Sequence, residues 1–118
     1  MQYQSDYVLR VIEQMGSLLR RALDNLRPGG PEEPYDLAQQ ALGLAMDIDP
    51  ATISRMAPQG LVALLEIDTP DDRVIRLIAD AFEVQAEALE LNGDFMGAQV
   101  RREQATAVRG ILDGSHAN

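Results

Sequence analysis

One spaced pattern occurs twice in the chain, as Tyr35, Ala38, Leu42, Ala45 and again as Phe95, Ala98, Arg102, Ala105, each at intervals of three, four and three residues. Such intervals return to one side of an α-helix, so each copy predicts a helical stripe. A second helical pattern precedes each stripe and carries a small residue, Gly16 in the first copy and Ala86 in the second, where two helices can approach closely. The repeating unit is therefore a helix pair, present twice. Pairs of this kind bury their apolar faces against one another and offer the remaining surface to a partner. At 118 residues there is room for one domain, over 1–118, with a single modest core.

Steps of three and four divide the rest of the chain. Val8, Ile12, Met15, Leu19, Ala22 and Leu26 predict a helix over about 5–26 with Ser5 as its cap. Residues 27–34 hold three prolines and two glycines and predict a mobile loop. A helix follows over about 35–48, after which Asp49 and Pro50 read as the cap and first position of another. The apolar stretch over about 50–66 is broken by Pro58 and Gly60, which predicts a connector of short helical pieces. Thr69-Pro70-Asp71-Asp72 reads as a threonine cap, a proline at the first position and acids in the first turn of a helix over about 70–92. Its stripe is Val74, Ile75, Ile78, Phe82, Ala86 and Leu89. Asn92-Gly93 stops that helix and Asp94 caps a last one over about 94–112, with 113–118 as a frayed tail. Every strong element is helical, and the chain is predicted to be all-α.

The units resemble tetratricopeptide repeats, whose second helix opens with Gly-Asp-aromatic and carries alanines three and ten residues after the aromatic. Gly93-Asp94-Phe95 with Ala98 and Ala105 fits, and Tyr35, Ala38, Ala45 and Pro50 fit with the loop in place of the tight turn. In the first helices, Ile12, Met15, Gly16 and Leu19 match the large, large, small, large spacing, and Phe82, Ala86 and Leu89 match three of its four places. Gln85 and Arg102 depart from the pattern where an apolar or aromatic residue is usual. The opening from Gln4 to Gln14 is similar to the start of a family of small bacterial proteins with a tetratricopeptide-like second half, a domain of unknown function that brings no activity with it. The resemblance implies two helical hairpins joined by a short helical connector, with the first helix of each hairpin lining a concave groove.

Composition excludes several functions. Ten basic residues against nineteen acidic ones give a net charge of -9, which repels a phosphate backbone and anionic membranes alike, so neither nucleic acid nor membrane is an expected partner. No cysteine is present, which removes thiolate chemistry and cysteine-held zinc. The first ten residues lack the basic start and apolar run of a secretory signal, and no apolar run approaches the ~20 residues that span a bilayer, so a cytoplasmic protein is expected. The single histidine, His116, lies in the expected tail, and Ser17, Thr52 and Ser54 have no base near them in sequence. The expectation is a chain that is not an enzyme and has no cofactor.

Asp80, Glu83, Glu87 and Glu90, at steps of three, four and three, form the sharpest charged feature. One reading is a metal-binding or carboxylate-dependent site, although helical di-metal centres add Glu-x-x-His motifs that this chain lacks. A second is a solvated face paired with arginines of neighbouring helices. The resemblance implies a third, in which these acids line one half of the groove, with Arg10, Glu13, Ser17 and Arg20 in the equivalent places of the other half and Arg21 beside them. A groove so polarised can be satisfied internally, by a protein partner of opposite pattern, or by a second copy in a two-fold homodimer. Tyr3 and Tyr7 are read either as an interface anchor or as caps over the end of the core, and Met46, Met56 and Met96 as core filler.

Overall fold

Val11, Met15, Leu19 and Ala22 recur at steps of four, four and three, and the helix they specify buries all four along one side. This helix, α1 (Gln2–Asp24), is the first of six in a computed structural model that describes residues 2–116, with side chains from 6 to 114. It is followed by α2 (Pro34–Ala45), α3 (Pro50–Ser54), α4 (Pro58–Asp68), α5 (Asp72–Leu91) and α6 (Phe95–His116). No strand forms among the described residues, and the chain is all-α. Neighbours in sequence pack as pairs, α1 with α2 and α5 with α6, while α5 also packs against α1 and α2, and α4 lies on α6.

The central element is α5. Val74, Ile75, Ile78, Ala79, Ala81, Phe82, Val84, Gln85, Ala86 and Ala88 are all buried, far wider than the one-sided apolar stripe of a surface helix. Its outer strip holds Arg76, Asp80, Glu83, Glu87 and Glu90. The α5–α6 corner follows the expected turn. Gly93 takes φ 83°, its N–H bonds the Glu90 carbonyl at 3.0 Å, and the Asp94 N–H reaches back to Leu89 at 2.8 Å, which satisfies carbonyls the helix end would leave open. Asp94 then caps α6, its Oδ1 accepting the Gly97 N–H at 2.9 Å.

Several expectations need correction. The cap of α5 is Asp71 rather than Thr69. Asp71 Oδ1 accepts the Arg73 N–H at 2.8 Å, and the Arg73 guanidinium and N–H hold this carboxyl down to about 2. Burial of Leu61 and Leu65 carries α4 on to Asp68, so Thr69 instead closes α4, donating to the Leu65 carbonyl at 2.8 Å with φ 46° and ψ 56°. That left-handed backbone crowds a β-branched side chain. Thr69→Gly is therefore expected to raise the unfolding free energy by about 0.5–1 kcal/mol, the relieved crowding less the flexibility glycine adds to the unfolded chain. Urea unfolding measures it, and a loss of stability would mean that the threonine side chain contributes more than its backbone costs.

Helix α1 begins at Gln2, which puts Ser5 inside it rather than at its cap, and α6 continues to His116 through the expected tail; 117 and 118 lie outside the described residues. The 27–34 loop is fastened. The buried Asn25 donates from Nδ2 to the Arg21 carbonyl at 2.8 Å and accepts the Glu32 N–H on Oδ1 at 3.0 Å, while Arg21 pairs with Glu32 and Pro34 is buried at the head of α2. Gly30 permits this, since a Cβ there would lie 2.8 Å from the Asn25 carbonyl oxygen. Gly16 marks no close helix approach. A Cβ on it would meet only Arg20 Nη1, at 3.4 Å. Tyr7 is 64% exposed and Met96 84%, so neither belongs to the core, whereas Met46 does; the Tyr3 side chain lies outside the described residues.

Candidate functional site

The ends of α1 and α5 meet at the same pocket, where Asn25 and the 27–34 loop face Ala88, Leu91 and Asn92. Further back, Gly16, Leu19, Arg20 and Leu23 lie along Leu77, Asp80, Glu83, Val84 and Glu87. The two helices thus run side by side in one direction, and a groove of about 420 Å³ opens between them. Leu19 and Val84, each 5% exposed, form its floor. Leu23, 55% exposed, forms part of its rim, and the missing side chain at Gly16 leaves room for the Arg20 guanidinium to lie back over α1.

The charges are arranged asymmetrically. Arg109 of α6 donates from Nη2 to Asp80 Oδ1 at 2.7 Å and from Nε to Glu83 Oε2 at 2.7 Å. Arg102 of α6 grips Glu90 with two parallel bonds, 2.6 and 2.8 Å long, which lower the Glu90 carboxyl below its usual range and raise the guanidinium above its own. These side chains are about half exposed, so water and salt screen the pairs and they add little to stability. Their effect is to draw the acids toward α6 and away from α1. Among the described residues Glu87 and Arg20 have no ion pair, and none spans the groove.

Of the residues the sequence assigned to the groove, Arg20, Asp80, Glu83 and Glu87 line it together. Glu90 sits one turn beyond, in the grip of Arg102. Arg10, Glu13 and Ser17 are exposed on α1 and do not line it, and Arg21 is occupied with Glu32. Among the described residues no three carboxylate or imidazole side chains converge to hold a metal ion, and no helix is long and apolar enough to cross a membrane.

A second polar feature lies beneath the surface, and sequence reasoning missed it. Fully buried Gln85 donates from Nε2 to Gln39 Oε1 at 2.8 Å and to the Tyr35 carbonyl at 3.3 Å, and Ser54 Oγ donates to the same Gln39 oxygen at 3.1 Å. Fully buried Gln104 donates to the carbonyls of Ser54 and Met56, both at 3.0 Å. Arg101 joins the two halves through the Ser54 carbonyl and Gln104 Oε1, each at 2.9 Å, and the Tyr35 hydroxyl at 3.1 Å. The arrangement ties α2, α3, α5 and α6 together. The one available signal was Gln85 itself, an amide standing in an apolar stripe. Ser54 Oγ is thereby engaged with an amide, and the His116 side chain lies outside the described residues. Comparison of the chain with protein families, with curated proteins and with solved structures finds no match in any of the three.

Proposed function

We propose that the chain is a non-enzymatic protein-interaction module of the cytoplasm, built from two tetratricopeptide-like helical hairpins, that receives a segment of another protein in the groove between α1 and α5. The observation that carries this reading is the unbridged groove itself, with an apolar floor at Leu19 and Val84, Arg20 on one wall and unpaired Glu87 on the other. Among the described residues no ion pair crosses the gap. Here the acids pair outward with α6 instead. The packing order supports the hairpin reading, since α1 meets α2, α2 meets α5 and α5 meets α6, with the first helices of the two pairs side by side. A net charge of -9 disfavours a second copy as the occupant and favours a different protein.

Leu23→Glu tests this without touching the core, because Leu23 is 55% exposed and surface changes of this kind shift stability by about 0.5 kcal/mol or less. Affinity capture from a lysate of the source organism is expected to retain a protein that Leu23→Glu loses and Ile67→Glu keeps. Ile67 is 82% exposed on α4, outside the groove. Equal capture by all three forms would remove the groove as the binding surface.

A further inference from the structure

We infer, resting on the groove reading, that the occupant is an amphipathic helix with basic residues along one flank. The first argument concerns backbone bonds. The groove is walled by two α-helices whose N–H and C=O groups bond within each helix, and its polar groups, Arg20, Asp80, Glu83 and Glu87, stand on the walls and leave the floor at Leu19 and Val84 with nothing to serve a guest backbone. An extended segment would enter with its peptide groups unpaired against Leu19, Leu77 and Val84, at a cost for each group that water could no longer reach. A helix arrives with those groups already bonded and offers ridges that fit between the ridges of α1 and α5.

Charge sets the flank. The outer strip of α5 carries four carboxylates, Asp80, Glu83, Glu87 and Glu90, and α6 supplies two guanidinium groups to them. Counting Arg76 one turn ahead of Asp80 as well, this wall keeps a negative excess, centred on unpaired Glu87. The opposite wall presents Arg20. A helix in the groove therefore places lysine or arginine toward Glu87, a carboxylate toward Arg20, and an apolar stripe between them over Leu23 and Leu77. The α5 lining from Leu77 to Glu87 covers ten residue steps, about 15 Å at 1.5 Å per residue, so the contact lasts close to three turns. Apolar anchors at i, i+4 and i+7 fill that length.

The probes are two synthetic 18-residue amphipathic peptides with leucine at those anchor positions. One carries lysines on the first flank and a glutamate on the second, and the other has every charge reversed. Fluorescence anisotropy against the whole chain is expected to give at least tenfold tighter binding of the basic peptide at low salt, a smaller margin at 0.5 M salt, and a reduced or inverted preference in Glu87→Lys. Equal affinity for the two peptides, or preference for the acidic one, with both lost in Leu23→Glu, would overturn the basic partner while leaving the groove reading standing. No binding of either peptide, or binding that Leu23→Glu leaves unchanged, would overturn both. A dimer seen by light scattering and split by Leu23→Glu would seat a second copy in the groove and overturn the inference as well. Circular dichroism confirms that each variant is folded, as exposed Glu87 and Leu23 lead one to expect.

Discussion

Phe82→Ala is expected to lower the unfolding free energy by about 3–5 kcal/mol, the largest loss from any one truncation in this chain. Phe82 is the largest fully buried side chain and projects from the helix that α1, α2 and α6 surround. Of its same-face neighbours along α5, Ala79 and Ala86 are small, Ile78 is itself fully buried in the core, and Gln85 is held by its bonds to α2, so little on the helix can swing into the vacated space. The surrounding helices are held at their distances by other contacts, and the cavity stays open. A domain of this size has only about 5–15 kcal/mol of stability in total, so the variant sits near the edge of folding. Urea unfolding followed by far-UV dichroism should show the midpoint fall with an unchanged slope. A loss under about 1 kcal/mol would mean that α5 is not the hub of the core. Outside the core, removing Glu90 or Arg102 breaks an exposed pair whose contribution is several-fold smaller.

The parts of the fold that could be read from sequence are those fixed by neighbours in the chain. Gly93 and Asp94 announce their corner because few residues tolerate φ near 83° and because an aspartate directly after such a stop can accept an open N–H in the first turn of the next helix. The 69–72 segment misled for the same reason. Thr69 and Asp71 both have capping chemistry, and only the burial of Leu61 and Leu65, which extends α4, decides between them. Proline and glycine in the 27–34 loop say that the loop is neither helix nor strand, but say nothing of Asn25 holding it from outside.

At the groove, spacing placed Asp80, Glu83, Glu87 and Glu90 on one face, and that holds. Which arginines meet them depends on where α6 lies. Equating Arg10, Glu13 and Ser17 with the acidic places drew on the repeat alone. On α1 the groove side is instead the one bearing Gly16, Leu19, Arg20 and Leu23.

Buried amides were the least legible feature, and Gln104 carries the second large effect. Its carboxamide gives two hydrogen bonds to main-chain carbonyls at the end of α3 and receives one from Arg101, all without contact with water. Gln104→Leu keeps much of the volume and removes all three bonds, which leaves the Met56 carbonyl and part of a guanidinium unserved. The expected loss is about 2–4 kcal/mol, since orphaned buried groups cost about 1–3 kcal/mol each and more when charged. Arg101→Met in the same background tests whether the cost is that of an orphan or of the amide itself. With the guanidinium gone, Gln104→Leu strands fewer groups, so the double variant is expected to lose at least about 1 kcal/mol less than the two single losses combined. Strict additivity would show the two side chains acting separately. The damage should also be local at first. Helix α4 rests chiefly on α6, and the bonds from Arg101 and Gln104 hold the α3 end that leads into it. Amide exchange across 54–68 should therefore accelerate in Gln104→Leu well before exchange in α5, because a segment with one main packing partner opens at lower free energy than the core helix it leans on.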